Sequence, residues 1–365
     1  MRPALYLHIP YCRFRCTYCN FYFELGRADE RLVLALKREL ELRAEEIPAG
    51  SLPAIYLGGG TPSWLPPSLL KDLLSELAQF AGPDTEFSME CNPEDLTEDL
   101  LDLLQRAGVN RISLGVQSLN DLELKRSARR HNGDGARRAL DLLAQSDMNW
   151  SADLIIGLPE QTEAAFQSSL EEVLARSPDH LSLYTLELDS PVPLVDVFAR
   201  HPEWDPGDTM RAKLYLWAHE ELESKGYHHY EVSNWARPGR ECRYNQQVWS
   251  GGEYLGLGPS AHSHIQGRRR NWPADIAAWM DPLLSGSLPE ALEDDRSEDE
   301  KNLERLLLAL RGAGGLSWKD PLLAGRQSFL DAAAGEGWIL EDSENLRLSP
   351  SGWLRLDGIL ARLTT

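Results

Sequence analysis

The chain opens with Ala4-Leu5-Tyr6-Leu7-His8-Ile9-Pro10-Tyr11-Cys12-Arg13-Phe14-Arg15-Cys16-Thr17-Tyr18-Cys19 after three residues. Residues 4–9 form a short apolar run of strand character. Three cysteines then fall within eight residues, and Leu32, Leu36 and Leu40 follow at helical spacing. Strand, loop bearing reactive side chains, helix: this unit decides the fold because it recurs. Strand candidates are Ala4–Ile9, Ala54–Leu57, Glu86–Glu90, Arg111–Leu114, Ala152–Ile156 and His180–Leu186. Helix candidates cover about 29–46, 67–80, 97–107, 134–146, 163–175 and 208–225, the third carrying Leu100, Leu103 and Leu104 on one face. Strands alternating with helices imply parallel strands joined by crossovers. Six units fall short of the eight of a closed barrel, so the expected fold is α/β, a partial (β/α)6 barrel of the TIM type.

The pattern changes near residue 227. Residues 1–226 read as the barrel, and residues 227–290, rich in Gly, Trp, Tyr, His and Pro, as an irregular segment with short strands completing the core. Residues 291–365 read as a small, mainly helical domain. In it, a charged stretch Leu292–Lys301 leads into the apolar Asn302–Arg311, and a strand pair lies near Trp338–Leu340 and Leu346–Leu348, as in a winged helix.

The whole chain is 365 residues with a formal charge of −20 and 42% apolar residues. That is a globular composition, and the acidic balance argues against a nucleic-acid partner, because phosphate affinity is carried by Lys and Arg. A local basic patch such as Arg268-Arg269-Arg270 is compatible with it. No stretch reads as a membrane span, and no basic leader precedes an apolar run, so the cytosol is the expected compartment. Five cysteines, three of them clustered, then read as a metal site rather than a disulfide framework.

Cys12, Cys16 and Cys19 give Cys-x3-Cys-x2-Cys. Thiolates are soft ligands suited to iron–sulfur clusters or zinc. Zinc closed by His8 or Cys91 is one alternative; a four-iron cluster held by three thiolates, with one iron left open, is the other. With Tyr18 before the last cysteine and Tyr6-Leu-His-Ile-Pro-Tyr-Cys12 leading in, the motif resembles the radical S-adenosylmethionine (SAM) superfamily. Within it, the chain is similar to the branch of the oxygen-independent coproporphyrinogen III oxidases and the HemW haem chaperones. The resemblance implies a [4Fe-4S] cluster on Cys12, Cys16 and Cys19, with the amino and carboxylate groups of SAM on the fourth iron. It also implies cleavage of the sulfonium by one electron to give a 5′-deoxyadenosyl radical.

Further residues carry the resemblance on their motifs, at the C-terminal ends of strands where such barrels place their sites. Gly59, Gly60 and Thr61 follow the second strand in Gly-Gly-Gly-Thr-Pro; Glu90 stands in Met-Glu-Cys-Asn-Pro; Gln117 in Gly-Val-Gln-Ser; Arg129 in Arg-Arg-His; and Asp153 in Asp-Leu-Ile-Ile-Gly. With Tyr6 these are the residues the resemblance assigns to SAM, and none is assigned a catalytic role. Phe21 stands where the oxidases carry a fourth cysteine, and their long N-terminal extension has no counterpart in the five residues before Tyr6. With an oxygen-independent coproporphyrinogen III oxidase or a related radical SAM porphyrin enzyme as the alternative, both departures, with Tyr230-Glu-Val-Ser-Asn234 and Leu255-Gly-Leu-Gly-Pro-Ser-Ala-His-Ser263, resemble the chaperones. That implies haem as cargo and membrane haemoproteins such as respiratory-chain subunits as clients, met at the membrane surface. Whether SAM is cleaved, and whether the chain forms a homodimer, stay open. The chaperones' His-Asn-x-x-Tyr-Trp reads Tyr244-Asn245-Gln246-Gln247-Val248-Trp249 here, which leaves Cys242 and Tyr244 as haem-ligand candidates, with His228 and His229 near in sequence.

Overall fold

A computed structural model describes residues 2–48, 50–188 and 192–364. The repeated unit forms β1 (Ala4–Ile9), β2 (Ala54–Gly59), β3 (Glu86–Cys91), β4 (Arg111–Gln117), β5 (Asn149–Ile156) and β6 (His180–Thr185). These pair in chain order, all parallel. The crossovers are α1 (Glu30–Leu42), α2 (Pro67–Leu77), α3 (Glu98–Arg106), then α4 (Asp121–Arg126) with α5 (Gly133–Ala144), and α6 (Glu163–Leu174). Polar caps start all of them but α2: Asp29, Thr97, Asn120, Asn132 and Thr162 each accept a backbone N–H of the first turn.

Strand alternation separates two faces. Leu5, Leu7, Ile55, Leu57, Phe87, Met89, Ile112, Leu114, Leu154 and Leu181 join the buried core under the helices. Tyr6, Tyr56, Ser88, Glu90, Ser113, Asp153 and Ser182 alternate with them and turn to the concave side, which is therefore polar.

After α7 (Pro193–Arg200) and α8 (Asp208–Ser224), the segment taken as irregular supplies five strands. β7 (His228–Glu231) and β8 (Asn234–Ala236) extend the β6 edge antiparallel. After α9 (Arg243–Trp249) comes β9 (Tyr254–Leu257), a seventh parallel strand, on the far side of β1. β10 (His262–Ile265) and β11 (Arg268–Asn271) follow antiparallel, and after α10 (Ile276–Leu284) the short β12 (Leu292–Glu293) closes that edge. The sheet order is β12-β11-β10-β9-β1-β2-β3-β4-β5-β6-β8-β7, open at both ends, as a partial barrel should be. Gly256 is needed in β9: a Cβ there would fall 2.0 Å from the His262 carbonyl oxygen. Buried Glu39 of α1 locks this addition in place, accepting from Gly258 N at 2.9 Å, Trp279 Nε1 at 3.0 Å and the Trp272 indole, beside Arg43 at 3.2 Å.

The C-terminal residues build a separate core of Leu306, Leu310, Leu346, Leu348, Trp353, Ile359 and Leu360. Helices α11 (Glu298–Arg311), α12 (Gln327–Gly335), α13 (Pro350–Trp353) and α14 (Leu356–Thr364) pack there with a three-stranded antiparallel sheet. Its strands are β13 (Leu316–Ser317), β14 (Ile339–Leu340) and β15 (Asn345–Leu348). The anticipated strand pair is β14 with β15. Two of the three arginines of the basic patch are neutralised, Arg269 by Glu304 at 2.8 Å and Arg270 by Glu46.

Candidate functional site

The cysteine loop leaves the C-terminal end of β1 and is tied down on every side. Gly60 N donates to Ile9 O at 2.8 Å and Thr61 N to Tyr11 O at 2.9 Å, so the glycine run after β2 grips the loop through its own backbone. A Cβ on Gly60 would fall 2.8 Å from Ile9 O, which explains the glycine. Thr17 N donates to Ser127 O at 3.2 Å, and Leu194 N, at the start of α7, donates to Thr17 O at 2.9 Å.

Cys12, Cys16 and Cys19 are half-buried free thiols. Burial pushes Cys12 up to about 11, against the Thr61 hydroxyl that donates to its sulfur at 3.4 Å, and raises Cys19 as well. Arg129 Nη1 lies 3.5 Å from Cys16 Sγ and 3.5 Å from Tyr18 Oη. Its Nη2 donates to Asn92 Oδ1 at 2.7 Å and Gly115 O at 2.8 Å, while its buried Nε has no hydrogen-bond partner among the described residues. Three soft donors beside a buried cation with an unspent N–H fit an anionic iron–sulfur cluster. The fourth ligands that zinc would need are committed elsewhere. Cys91 packs in the hydrophobic core, and both ring nitrogens of His8 are engaged, with Tyr6 Oη at 3.2 Å and Tyr22 O at 3.0 Å.

The other strand ends bring their side chains to the same mouth. Glu90 accepts from Gly59 N at 3.1 Å and from Tyr56 Oη at 3.0 Å. Burial, then the charge of Asp153, raises its pKa to about 7. Asp153 accepts from Ser113 Oγ at 3.0 and 2.9 Å and from Ser151 Oγ at 3.3 Å; burial raises its pKa despite these bonds. Gln117 adopts φ 65°, a strained conformation for a side-chain-bearing residue. Gly115 leaves the space where Gln117, Asn92 and Arg129 meet: a Cβ there would fall 2.9, 3.3 and 3.6 Å from their polar atoms. Tyr6 stacks on Tyr56, ring centroids 6.2 Å apart, one layer below.

Cys242 and Tyr244 are not brought to this mouth. Both stand at α9, against the N-terminal ends of the strands. Cys242 is 2% exposed, its thiol 3.5 Å from Glu86 at the start of β3 and pushed up to about 12 by burial. Tyr244 stacks on Tyr56 and Tyr6 at 5.0 and 5.7 Å, forming the barrel floor. His229 lies against Trp235 and Trp353, 3.7 and 4.4 Å between ring centroids, where barrel and C-terminal core meet.

Asn92 is one of two residues that the sequence reading does not single out. It links Arg129 to Thr61 Oγ1, 3.4 Å away, and its backbone N–H donates to Ser63 Oγ at 3.1 Å. Its place directly after the Glu90-Cys91 strand end was the available signal. Tyr56, the donor to Glu90, was missed in the same way.

Comparison with known proteins agrees with this geometry. Residues 6–173 match the radical SAM superfamily. Over 335 residues the chain is 36% identical to the heme chaperone HemW of Synechocystis, covering 87% of this chain and 80% of that one. It is 33% identical over 369 residues to the heme chaperone HemW of Mycobacterium tuberculosis, covering 99% and 94%. The solved coproporphyrinogen III oxidase (HemN) of Escherichia coli, a radical SAM enzyme, shares the fold with a TM-score of 0.82 at 23% identity, covering 100% of this chain and 90% of that one. The chain thus belongs to the radical SAM superfamily and, within it, to the family of the heme chaperone HemW.

Proposed function

We propose that the chain is a haem chaperone, which binds haem and passes it to membrane haemoproteins of the respiratory chain, and that it carries a [4Fe-4S] cluster and SAM at the barrel mouth. The observation that carries this reading is the convergence of Cys12, Cys16 and Cys19 with Arg129, Glu90 and Asp153 in a chain 36% identical to a heme chaperone. The three thiols would hold the cluster, which when bound supplies a one-electron reductant to SAM. The N–H groups of Gly59, Gly60 and Thr61 are already spent on Glu90 and the cysteine loop. What this run offers a ligand is carbonyl oxygen, an acceptor suited to an ammonium group. Glu90 and Asp153 offer carboxylates to the same ligand or its ribose, and Arg129 holds a positive charge against the thiolates. Gln117 and Thr61 complete the wall of the SAM pocket, with Tyr6 in the floor beneath it. Among the described residues no helix is long and apolar enough to cross a membrane, so delivery calls for docking at the membrane surface.

The test loads the cluster-reconstituted chain with haem under anaerobic conditions and mixes it with membranes stripped of haem. Movement of haem from the chain into respiratory cytochromes supports the reading. Haem that stays on the chain, together with SAM-dependent conversion of coproporphyrinogen III, replaces it with an oxidase.

A further inference from the structure

The cysteine loop carries Arg13, Arg15 and Arg27, with Arg130 of a neighbouring loop against its Phe14, in a chain whose net charge is −20. The Arg13 guanidinium lies 3.6 Å over the Trp64 ring, and Arg27 lies 5.1 Å from the same ring. Arg15 stands 5.8 Å from the Phe23 ring, and Arg130 6.0 Å from Phe14. Trp64 is itself fixed, its indole N–H donating to Gly26 O at 2.9 Å. Arg13 is ion-paired with Asp95 at 2.9 Å. Arg15, Arg27 and Arg130 have no carboxylate partner among the described residues, although acidic side chains outnumber basic ones by 57 to 37. Phe21 is 67% exposed and Leu25 62% exposed on the same loop. One exposed apolar side chain means little. The rim of the loop thus carries exposed Phe21 and Leu25, half-buried Phe14 and Phe23, and three guanidinium groups without a carboxylate partner among the described residues.

We propose that this rim is where haem docks, the macrocycle lying on Phe21, Phe23 and Phe14 and its two propionates taken by Arg15 and Arg27, with Arg130 at the border. The proposal rests on the chaperone reading and deepens it by placing the cargo outside the cysteine loop rather than at Cys242 or Tyr244. Guanidinium groups pair with carboxylates through two parallel hydrogen bonds, and those already stacked on aromatic rings lose little freedom in doing so. Aromatic side chains supply the face for a planar ring system. The remaining acidic surface disfavours a dianionic ligand elsewhere, so the rim sets orientation as well as affinity.

The test is an anaerobic titration of ferric haem, and separately of its propionate dimethyl ester, into the full cluster-reconstituted chain. The unaltered chain is compared with Arg15→Glu/Arg27→Glu, with the milder Arg15→Gln/Arg27→Gln and with Phe21→Asp. Charge reversal at both arginines should weaken haem binding by about tenfold or more, and the Gln pair by less, in the same direction. Esterified haem should bind the unaltered chain more weakly and erase most of its advantage over the Glu pair. Added salt should narrow that gap as well. Circular dichroism and iron content verify that the exposed substitutions leave the fold and cluster loop intact. If the Glu and Gln pairs bind haem as tightly as the unaltered chain, or the ester binds as well as the acid, the dock is wrong while the chaperone reading stands. If charge reversal spares haem but slows cluster reduction by an acidic protein donor, the rim is a protein-docking surface and the proposal falls. If the unaltered chain takes up no haem, the chaperone reading itself fails and this proposal with it.

Discussion

Glu90→Gln removes the acid of the mouth that titrates near neutrality. Burial comes first and the charge on Asp153 second in raising its pKa from 4.5 to about 7; the bonds from Tyr56 and Gly59 hold it back. A carboxyl group raised in the folded state contributes stability that is complete below its unfolded pKa and is lost as pH rises through the folded value. For Glu90 the window runs from pH 4.5 to about 7, and the shift corresponds to about 3 kcal/mol. Glutamine cannot ionise, yet its amide keeps one acceptor where the carboxylate has two, at a cost of about 1 kcal/mol. The variant should therefore be less stable than the parent at pH 3.5 by about 1 kcal/mol, cross it near pH 5, and be more stable at pH 8 by about 2 kcal/mol. Urea midpoints of the SAM-free chain across this range read the crossing. Two curves displaced in parallel at every pH refute the reasoning, since they require Glu90 to ionise at its ordinary value. The same group links to the ligand. An ammonium group binds the ionised carboxylate, so SAM uptake at pH 6 should release a proton that calorimetry detects in buffers of different ionisation enthalpy. The release should vanish in the Gln variant. A buffer-independent heat in the parent chain removes Glu90 from the pocket.

Three further outcomes follow from the geometry. Gly60→Ala presses a methyl group against Ile9 O and Tyr11 O, 2.8 and 2.9 Å from the ideal Cβ. It should cost about 1–3 kcal/mol and lower iron content after reconstitution; full iron loading contradicts the grip of this run on the cysteine loop. Glu39→Gln takes away the charged acceptor of Gly258 N and two indoles while Arg43 keeps its pair with Glu46 at 3.1 Å, and should destabilise the chain by about 1.5–3 kcal/mol in chemical denaturation, whereas a loss under about 1 kcal/mol shows that β9 is held by packing alone. Arg129→Met removes the cation 3.5 Å from Cys16 Sγ and should lower the cluster's reduction potential in an electron-paramagnetic-resonance titration; an unchanged potential places that charge outside the cluster's field.

The barrel was legible because its six strands combine an apolar face, such as Leu5-Leu7-Ile9, with polar residues turned to the mouth, and because α1 and α3 carry regular leucine spacing. β9 was not legible: four residues with Gly256 inside carry almost no strand signal, and only the pairing with β1 creates it. Helices α4 and α7 span six and eight residues, too short for a periodicity to stand out. In the site, Glu90 and Asp153 were found through the motifs that carry the resemblance, and strand alternation then turns both to the concave side. Asn92 acts by meeting Arg129 of the loop after α4, and Tyr56 by meeting Glu90 across neighbouring strands, convergences one strand's sequence does not encode. Cys242 and Tyr244 expose the same limit from the other side. Chain order says nothing of which barrel end α9 covers, and it covers the end away from the cysteine loop.

The most direct measurement is an anaerobic titration of haem into the cluster-reconstituted chain, following the Soret band and counting haem per polypeptide. Saturation at a stoichiometric ratio is the predicted result, and it should persist in Tyr244→Phe and Cys242→Ala, whose side chains lie in and under the barrel floor. Absence of saturable binding contradicts the account outright.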